Sequence, residues 1–285
     1  MSDKLTWFIT GCDKGMGYAF AETILAHGDR VVVTARDKAN VAELAAKYPQ
    51  TAFTYTLDVT NAAQIRDVVA EAERVTGGID VLINNAGYGM LGPVEAVTPE
   101  EYRPLFEVNF FGAAEVMRAV VPYMRQRRRG FVICTTSSGG FAASPGFSFY
   151  AASKFALEGL TEALAAETAA LGLKVMILEP GSTRTDFAGG SMAYAKTKIA
   201  DYDQTAVSST MDRMKARHGT QPGDPRRLAK VLIKLSRMEK VPLRLPAGDD
   251  SIDRMRLKLS ATTADADKYE DLCRAIAFDS TYNLD

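Results

Sequence analysis

Two titratable side chains, the phenol of Tyr150 and the amine of Lys154, lie four positions apart. On a helix this spacing places both on one face. A free phenol has a pKa of about 10, and a nearby ammonium favours the phenolate, which moves the group towards the range of a general acid or base. Ser137 lies thirteen residues before Tyr150 and offers a hydroxyl that can polarise a carbonyl oxygen. These residues predict proton exchange with a carbonyl or an alcohol, with Ser138 as an alternative to Ser137.

A glycine-rich turn near the start of the chain is typical of a nucleotide site. Gly11, Gly15 and Gly17 follow a predicted strand and open a predicted helix. Glycines let the backbone approach a pyrophosphate, and a helix N-terminus supplies free N–H groups and partial positive charge. The spacing G-x-x-x-G-x-G differs from the standard dinucleotide fingerprint, and a tight structural turn would leave the same glycines.

The end of the second predicted strand bears on the choice of cofactor. Sites specific for NAD usually place an acidic residue there, which accepts from the ribose 2′-hydroxyl. Ala35 takes that position here, and Arg36 follows it. A guanidinium binds a phosphate with paired hydrogen bonds, and Lys14 adds a second cation. The pattern predicts NADP(H) in preference to NAD(H), which stays possible because Asp37 could face the ribose instead.

Other chemistries lack the residues that they need. The chain has no G-x-S-x-G nucleophile elbow and no G-x-x-x-x-G-K-[ST] phosphate loop. His27 and His218 are its only histidines, and neither has a metal-ligand partner at a useful spacing. The three cysteines are sparse and widely separated, which argues against a disulfide framework or a zinc site. No metal is predicted.

Strands and helices alternate along the chain and would position these residues. Apolar and β-branched runs predict strands over 5–10, 30–35, 51–57, 81–84, 130–136, 173–179 and 243–247. Helical patterns lie between the first four strands at 16–27, 39–48 and 62–76. Alternation of this kind predicts an α/β fold, a three-layer doubly wound parallel sheet of the Rossmann type. The segment 187–225 interrupts the alternation and is predicted to be a helical lid, and 261–285 a C-terminal extension of the same single domain, 1–285.

Composition excludes several kinds of partner. The formal net charge is −1, so nothing in the overall charge favours nucleic acid or an acidic membrane surface. No run of 18 apolar residues could span a membrane, and the polar segment 1–7 does not have the pattern of a signal peptide. A cytoplasmic location is the resulting expectation.

The chain resembles the classical short-chain dehydrogenase/reductase family over nearly its whole length. The resemblance is carried by 10–17 (TGCDKGMG), Asp58 and Val59, 84–87 (NNAG), Asn109 in VNFFG, Ser137, 150–154 (YAASK), and Pro180 with Gly181. Each motif is short, but all of them occur in the order of the family and at the ends of the expected elements.

The resemblance implies a role for each matched residue. Ser137, Tyr150, Lys154 and Asn109 would form the catalytic set, with Asn109 in a proton relay through a bound water. Lys154 would also hold the ribose hydroxyls, Asp58 would bond the adenine, and Thr185 the nicotinamide carboxamide. The predicted cofactor residues are Gly11, Asp13, Lys14, Gly15, Met16, Gly17, Arg36, Asp58, Val59, Asn85, Ala86, Gly87, Tyr150, Lys154, Pro180, Gly181, Thr183 and Thr185.

Ligands in open α/β sheets bind beyond the carboxyl ends of the strands. The segments expected there contribute mainly apolar and aromatic candidates for substrate contact. They are Tyr88, Met90, Phe141, Phe147, Phe187, Met192 and Tyr194. The same segments hold no cluster of cations, and Arg184 is the one basic candidate nearby. A hydrophobic ketone, aldehyde or secondary alcohol is therefore the expected substrate, unless these side chains simply pack the lid.

The leading hypothesis is a small-molecule carbonyl reductase or alcohol dehydrogenase that uses NADP(H). A cofactor-binding sensor or scaffold without turnover is an alternative, but it would not need all four catalytic residues. A sugar-nucleotide epimerase can share Y-x-x-x-K, although NNAG and the glycine spacing favour the dehydrogenase. The family resemblance also implies a homodimer or homotetramer, assembled through helices around 100–127 and 150–170.

Overall fold

The structure, a computed structural model, describes residues 4–278 and 281–282. The predicted N-terminal segment 1–7 and the C-terminal extension 261–285 therefore lie partly outside the described residues. Nine strands occur in the described part: β1 (Thr6–Ile9), β2 (Arg30–Ala35), β3 (Ala52–Thr56), β4 (Val81–Asn84), β5 (Gly89–Leu91), β6 (Gly130–Thr135), β7 (Leu173–Pro180), β8 (Met192–Tyr194) and β9 (Arg244–Ala247).

Seven of these strands form the central sheet in the order β3-β2-β1-β4-β6-β7-β9, with every neighbouring pair parallel. The order reverses direction at β1, and β4 lies on the other side of β1 from β2. This arrangement confirms the predicted doubly wound parallel sheet, and each of the seven predicted strands overlaps one of its strands. A cleft forms beyond the carboxyl ends of strands where the order reverses, so the glycine turn after β1 lies at that point.

Helices cover both faces of the sheet. They are α1 (Gly15–His27), α2 (Ala42–Lys47), α3 (Ala62–Thr76), α4 (Pro99–Phe106), α5 (Ala113–Arg127), α6 (Ser138–Phe141), α7 (Ser148–Thr168), α8 (Ala206–Arg217), α9 (Pro225–Ser236), α10 (Asp249–Lys268) and α11 (Glu270–Arg274). Along β1, Trp7 and Ile9 pack in the core under α1, α2 and α9, whereas Phe8 packs in the core under α3, α5 and α7. Successive side chains of a strand point to opposite faces, so a strand buried on both must be apolar throughout.

Two elements differ from the sequence prediction. The predicted helix 39–48 is split into a 3-10 turn, Lys38–Val41, and the short α2. The predicted helical lid, 187–225, contains α8 but also β8, which pairs in parallel with β5 in a second, two-stranded sheet. Gly89 permits this pairing, because a Cβ there would come within 2.6 Å of the Met192 side chain. A strand of three residues is too short to show an alternating pattern.

A π-helical segment, Glu107–Gly112, joins α4 to α5. Its wider turn is rare and often marks a functional site. At the end of the segment, a Cβ on Gly112 would lie 2.8 Å from the carbonyl oxygen of Val59, so the helix approaches the loop after β3 closely. No helix among residues 4–278 is long and apolar enough to cross a membrane.

Candidate active site

The predicted catalytic side chains converge between β6 and α7. Ser137 follows the end of β6 and caps α6, where its Oγ accepts from the Gly139 N–H at 3.0 Å. Tyr150 lies in the first turn of α7 and is buried, and its phenol is hydrogen-bonded to the Ser137 side chain. The structure thus brings Ser137, rather than Ser138, to the Tyr150 hydroxyl. Ser138 instead begins α6, where its carbonyl oxygen accepts from Ala142.

Tyr150 keeps its proton more tightly than the sequence predicts. Burial raises the pKa of Tyr150 to about 12, and the hydrogen bond from Ser137 only partly opposes the increase. The lowering expected from a neighbouring ammonium does not appear: Lys154 is not among the groups that shift the pKa of Tyr150, and its Nζ lies 6.0 Å from the centre of the phenol ring. A phenol with this pKa is protonated at neutral pH and is a weaker acid than a free tyrosine.

Lys154 is buried beneath Tyr150, one helical turn along α7. Its Nζ donates to the backbone carbonyl of Thr135 at 3.0 Å, which fixes the side chain against the end of β6. Burial lowers the pKa of Lys154 to about 8, whereas the nearby Cys134 and Glu158 raise it. The ammonium is therefore close to half-ionised in mildly alkaline solution, and it is the more easily titrated member of the pair.

Asn109 lies in the π-helical segment and is fully buried. Its Oδ1 accepts from the Tyr88 N–H at 3.0 Å, and its Nδ2 donates to the Tyr88 carbonyl at 3.0 Å and to Ser153 Oγ at 3.1 Å. The amide therefore links the chain after β4 to α7. Its part in a proton relay stays a prediction.

A cavity of about 820 Å³, which we call the glycine cavity, opens at the glycine turn. Its walls hold most of the predicted cofactor residues: Gly11, Asp13, Lys14, Gly15, Met16, Arg36, Asp58, Val59, Asn85, Ala86, Gly87 and Thr185. Three predicted substrate residues also line this cavity, namely Tyr88, Phe187 and Met192.

The turn itself requires glycine at two positions. Gly11 has φ +70°, and a Cβ there would lie 2.9 Å from the Ala86 backbone. A Cβ on Gly17 would overlap the carbonyl oxygen of Gly11, so Gly17 lies behind the cavity wall and allows α1 to begin close to the turn. No side chain caps the N-terminus of α1, so its first N–H groups are free for an anion. The turn therefore fits a dinucleotide pyrophosphate.

The polar residues around the glycine cavity are held by short loop contacts. Asn85 Nδ2 donates to the Thr10 and Gly11 carbonyls at 2.9 and 3.2 Å, which ties the loop after β4 to the turn. Asp58 Oδ1 accepts from both the N–H and the hydroxyl of Thr60, at 2.9 and 2.8 Å. These contacts place Asp58 at the cavity wall beside Val59.

The charged residues after β2 divide into two roles. Arg36 is exposed and lines the glycine cavity. Asp37, the alternative ribose partner, accepts from Ala39 N at 2.9 Å as the cap of the 3-10 turn, and among the described residues it is not part of the cavity wall. Lys14 lines the cavity too, but its ammonium pairs with Asp186 at 3.2 Å.

A second cavity of about 440 Å³, the tyrosine cavity, contains Ser137 and Tyr150. Met16, Thr185 and Phe187 line both cavities, so the two adjoin. The predicted cofactor residues Pro180, Gly181 and Thr183 lie in its wall, as does Phe147. The rings of Phe147 and Phe187 flank Tyr150, with centroids 5.7 and 5.6 Å from its own.

Three of the predicted substrate residues lie elsewhere in the described structure and line neither cavity. Phe141 stacks against the Arg244 guanidinium at 5.5 Å. Met90, on β5, is buried in the small core beneath Tyr150. Tyr194 packs against Lys215 at 5.9 Å. Each of these residues lies on an element of three or four residues, whose orientation the sequence pattern does not reveal.

Several residues of the tyrosine cavity were not predicted. Arg213 and Arg217 on α8, Arg254 on α10 and Gln221 between α8 and α9 line its outer part. Gln221 Oε1 is buried and without a hydrogen-bond partner among the described residues. By contrast, Arg184 donates to the Gln221 carbonyl at 2.9 Å and is not part of this wall. The segments from which the apolar substrate residues were predicted hold no cation cluster, but the three arginines reach the cavity from later segments without a recognisable motif.

A partly buried ion cluster lies near Lys154. Arg244 on β9 pairs with Glu158 on α7, with Glu179 on β7 at 2.9 Å, and with the exposed Glu162 at 2.6 Å. Burial, together with the charge of Glu158, raises the pKa of Glu179 to about 7, although Arg244 opposes the increase. The cluster joins α7 to the edge of the sheet.

Comparison with known proteins gives consistent matches over most of the chain. The profile of the family described as short chain dehydrogenase matches residues 6–195. Oxidoreductase BOA17 of Botryotinia fuckeliana is 34% identical over 272 residues, 95% of this chain and 98% of that protein. The 3-ketodihydrosphingosine reductase of Bacteroides thetaiotaomicron is 34% identical over 243 residues, 84% and 86% of the two chains. A solved short-chain dehydrogenase from Streptomyces avermitilis is 38% identical with a TM-score of 0.91, covering 97% and 100%.

Proposed function

The chain belongs to the short chain dehydrogenase family of oxidoreductases, and from that premise we propose that it reduces a carbonyl compound with NADPH. One observation carries the proposal. The hydrogen-bonded pair of Ser137 and Tyr150 lines a cavity that adjoins the glycine cavity, so a proton donor stands beside a site suited to a dinucleotide.

The residues of the chain divide the chemical work. A bound nicotinamide cofactor supplies the hydride. The Ser137 hydroxyl holds and polarises the carbonyl oxygen, and the Tyr150 phenol gives that oxygen its proton. The phenol, with a pKa of about 12, is protonated at neutral pH, as the reductive direction requires. Lys154, held by the Thr135 carbonyl, would present its ammonium to the ribose side of the site.

NADP(H) is proposed over NAD(H) because of the residues at the end of β2. Arg36 lines the glycine cavity with its guanidinium exposed, and Ala35 leaves no carboxylate at the ribose position. Asp37 is occupied as a helix cap. At the other end of the site, Thr185 and the unpartnered Gln221 Oε1 suit a carboxamide, whose N–H groups need an acceptor.

The part of the substrate next to the carbonyl is proposed to be apolar. Phe147 and Phe187 stand on either side of Tyr150 in the wall of the tyrosine cavity, where they would enclose the carbon skeleton and exclude water. The name of the bacterial relative describes reduction of a keto group on a dihydrosphingosine.

Substitution Tyr150→Phe tests the function directly. We expect NADPH-dependent reduction of aryl ketones to fall at least about 100-fold, the size typical of a lost general acid. The Ser137→Ala variant should lose a similar amount of this activity, because one polarising hydrogen-bond donor contributes about 100-fold or more to the rate. Ser138→Ala is the matched control and should stay within a few-fold of the wild type. NADPH oxidation at 340 nm measures all four proteins across a panel of ketones and aldehydes.

Cofactor binding separates this function from a sensor or scaffold. NADPH fluorescence titration should give similar dissociation constants for the wild type and Tyr150→Phe, since the phenol is replaced without changing the glycine cavity. Tight NADPH binding with no turnover of any carbonyl or alcohol by the wild type would support the sensor instead.

A further inference from the structure

Three arginines line the outer part of the tyrosine cavity. Arg213 and Arg217 come from α8, and Arg254 comes from α10. Asp250 is the one acidic residue among the described residues that line it. The wall therefore has an excess of positive charge at the same cavity that holds Ser137 and Tyr150.

Arg254 is the most enclosed of the three. It is half-buried, and one of its N–H groups donates to Ser144 Oγ. Asp250, one turn before it on α10, is occupied elsewhere: its Oδ2 accepts from the Ser182 N–H at 2.8 Å. The described residues place no carboxylate within 4.0 Å of the Arg254 guanidinium. Burial lowers the pKa of Arg254, whereas the charge of Asp250 raises it.

Arg213 and Arg217 stand four residues apart on α8, so their side chains share a face of that helix. Arg213 donates to Thr210 Oγ1 at 3.0 Å. Neither arginine forms an ion pair with any residue in 4–278, whereas other arginines of the chain pair with carboxylates, Arg226 and Arg237 among them. Both arginines are exposed and line the cavity, so their charges add to that of Arg254 there.

A partly buried cation without a partner costs free energy, and an anionic ligand can offset that cost. Arginine binds planar anions in pairs of parallel hydrogen bonds, and a guanidinium has five N–H donors. Among the described residues, Ser144 Oγ is the one hydrogen-bond partner of the Arg254 guanidinium. The wall of the same cavity also contains the apolar side chains of Phe147, Phe187 and Met214.

We propose that the substrate is an oxo acid: its carbonyl lies at Ser137 and Tyr150, its apolar body between the phenylalanines, and its carboxylate at Arg254. Arg213 and Arg217 strengthen the positive potential at that end. The proposal rests on the proposed function for the identity of the reacting carbonyl, and it assigns a specificity role to three residues outside the catalytic set.

Binding of a non-reacting probe tests this site without turnover. Isothermal titration calorimetry would compare 3-phenylpropanoate, 4-phenylbutanoate and 5-phenylpentanoate with their primary amides, which have the same length without the charge. In the wild type, we expect at least one acid to bind 10-fold or more tightly than its amide. Arg254→Ala should remove that difference, and Arg254→Lys should retain part of it because the charge remains.

Arg256→Ala is the matched control, since Arg256 lies on the same helix, is exposed and does not line the cavity. It should preserve the preference for the acid. Equal binding of acids and amides along the whole series would overturn the proposal, as would an unchanged preference in Arg254→Ala. If Arg254→Ala instead weakens NADPH binding and leaves the acid preference intact, the arginines serve the cofactor and the proposal is wrong.

Measuring the reduction of an oxo acid and of its ester tests the carboxylate site separately from the proposed reaction. The wild type should reduce 4-oxo-4-phenylbutanoate with a kcat/KM at least 10-fold above that of its methyl ester. Arg254→Ala should lower the value for the acid alone. Reduction of neither compound, combined with selective binding of the phenylalkanoates, would contradict the proposed reaction while leaving the carboxylate site supported.

Discussion

We expect the side chain of Arg36 to determine the preference for NADPH over NADH. Its guanidinium lines the glycine cavity and forms no ion pair among the described residues. Arg36→Ala should raise the KM for NADPH about 10- to 100-fold, because charge-assisted hydrogen bonds are worth about 1.5–3 kcal/mol. The KM for NADH should change little, since that cofactor has no 2′-phosphate. Steady-state kinetics with NADPH and with NADH measure the two KM values and their ratio.

Lys38→Ala provides the matched control for Arg36, since Lys38 is an exposed cation two residues away that does not line the cavity. Its ratio of NADPH to NADH efficiency should equal that of the wild type. If Arg36→Ala weakened both cofactors equally, Arg36 would be holding the loop rather than binding a phosphate, and the preference for NADP(H) would lose its basis.

At the scale of elements, the cluster around Arg244 joins α7 to β7 and β9 and makes stability depend on pH. Folding raises the pKa of Glu179 to about 7, whereas an unfolded glutamate has a pKa of about 4.3. Between these values the folded protein binds more protons, so its stability falls as the pH rises. The Glu179→Gln variant has no carboxyl group to ionise at this position. Its free energy of unfolding should therefore fall less than that of the wild type between pH 5 and pH 8, by about 3 kcal/mol at most.

Thermal melting of the wild type and Glu179→Gln between pH 5 and pH 8 measures this difference, which should amount to several degrees. Glu162→Gln is the control, because Glu162 contacts the same arginine but is exposed, so its substitution should not change the pH slope. Parallel pH profiles for the wild type and Glu179→Gln would show that Glu179 is already ionised in the folded protein at low pH.

The large elements could be predicted from sequence because each leaves a periodic pattern. Apolar runs between helical segments indicate β1, β2 and β4, and buried strands covered on both faces must be apolar throughout. Ser137, Tyr150 and Lys154 could be placed because they occur at strand ends and on one helix face. The short sheet of β5 and β8 could not, because three residues show no period. Arg254 could not either, since only the packing of α10 brings it to the cavity.

The π-helical segment Glu107–Gly112 is likewise not predictable from a periodic pattern. Its sequence is compatible with an ordinary helix, and the wider turn depends on contact with neighbouring elements, including the approach of Gly112 to Val59. Asn109 is identifiable from its motif, but its bonds to Tyr88 and Ser153 depend on that turn. The sequence motif thus identifies Asn109, whereas its hydrogen-bond geometry depends on tertiary contacts.

For the whole molecule, we predict a homo-oligomer assembled through α5 and α7 and the π-helical segment beside them. Phe111 is 49% exposed in that segment and Phe155 is 43% exposed on α7, on elements that contact each other. Burying such rings between subunits stabilises an assembly by about 25 cal/mol per Å² of apolar surface. Light scattering after gel filtration should give two or four times 30.9 kDa at micromolar concentration.

Phe155→Asp should shift this mass towards that of one chain, because a charge at a subunit interface would be buried without a partner. Leu257→Asp on α10 is the matched control: Leu257 is still more exposed but lies on a different helix, so the mass should not change. Since α7 also carries Tyr150 and Lys154, the dissociated Phe155→Asp protein should lose activity in proportion to its monomer fraction. A wild type that elutes at 30.9 kDa would contradict the assembly, and the exposed rings would then belong to the surface of a monomer.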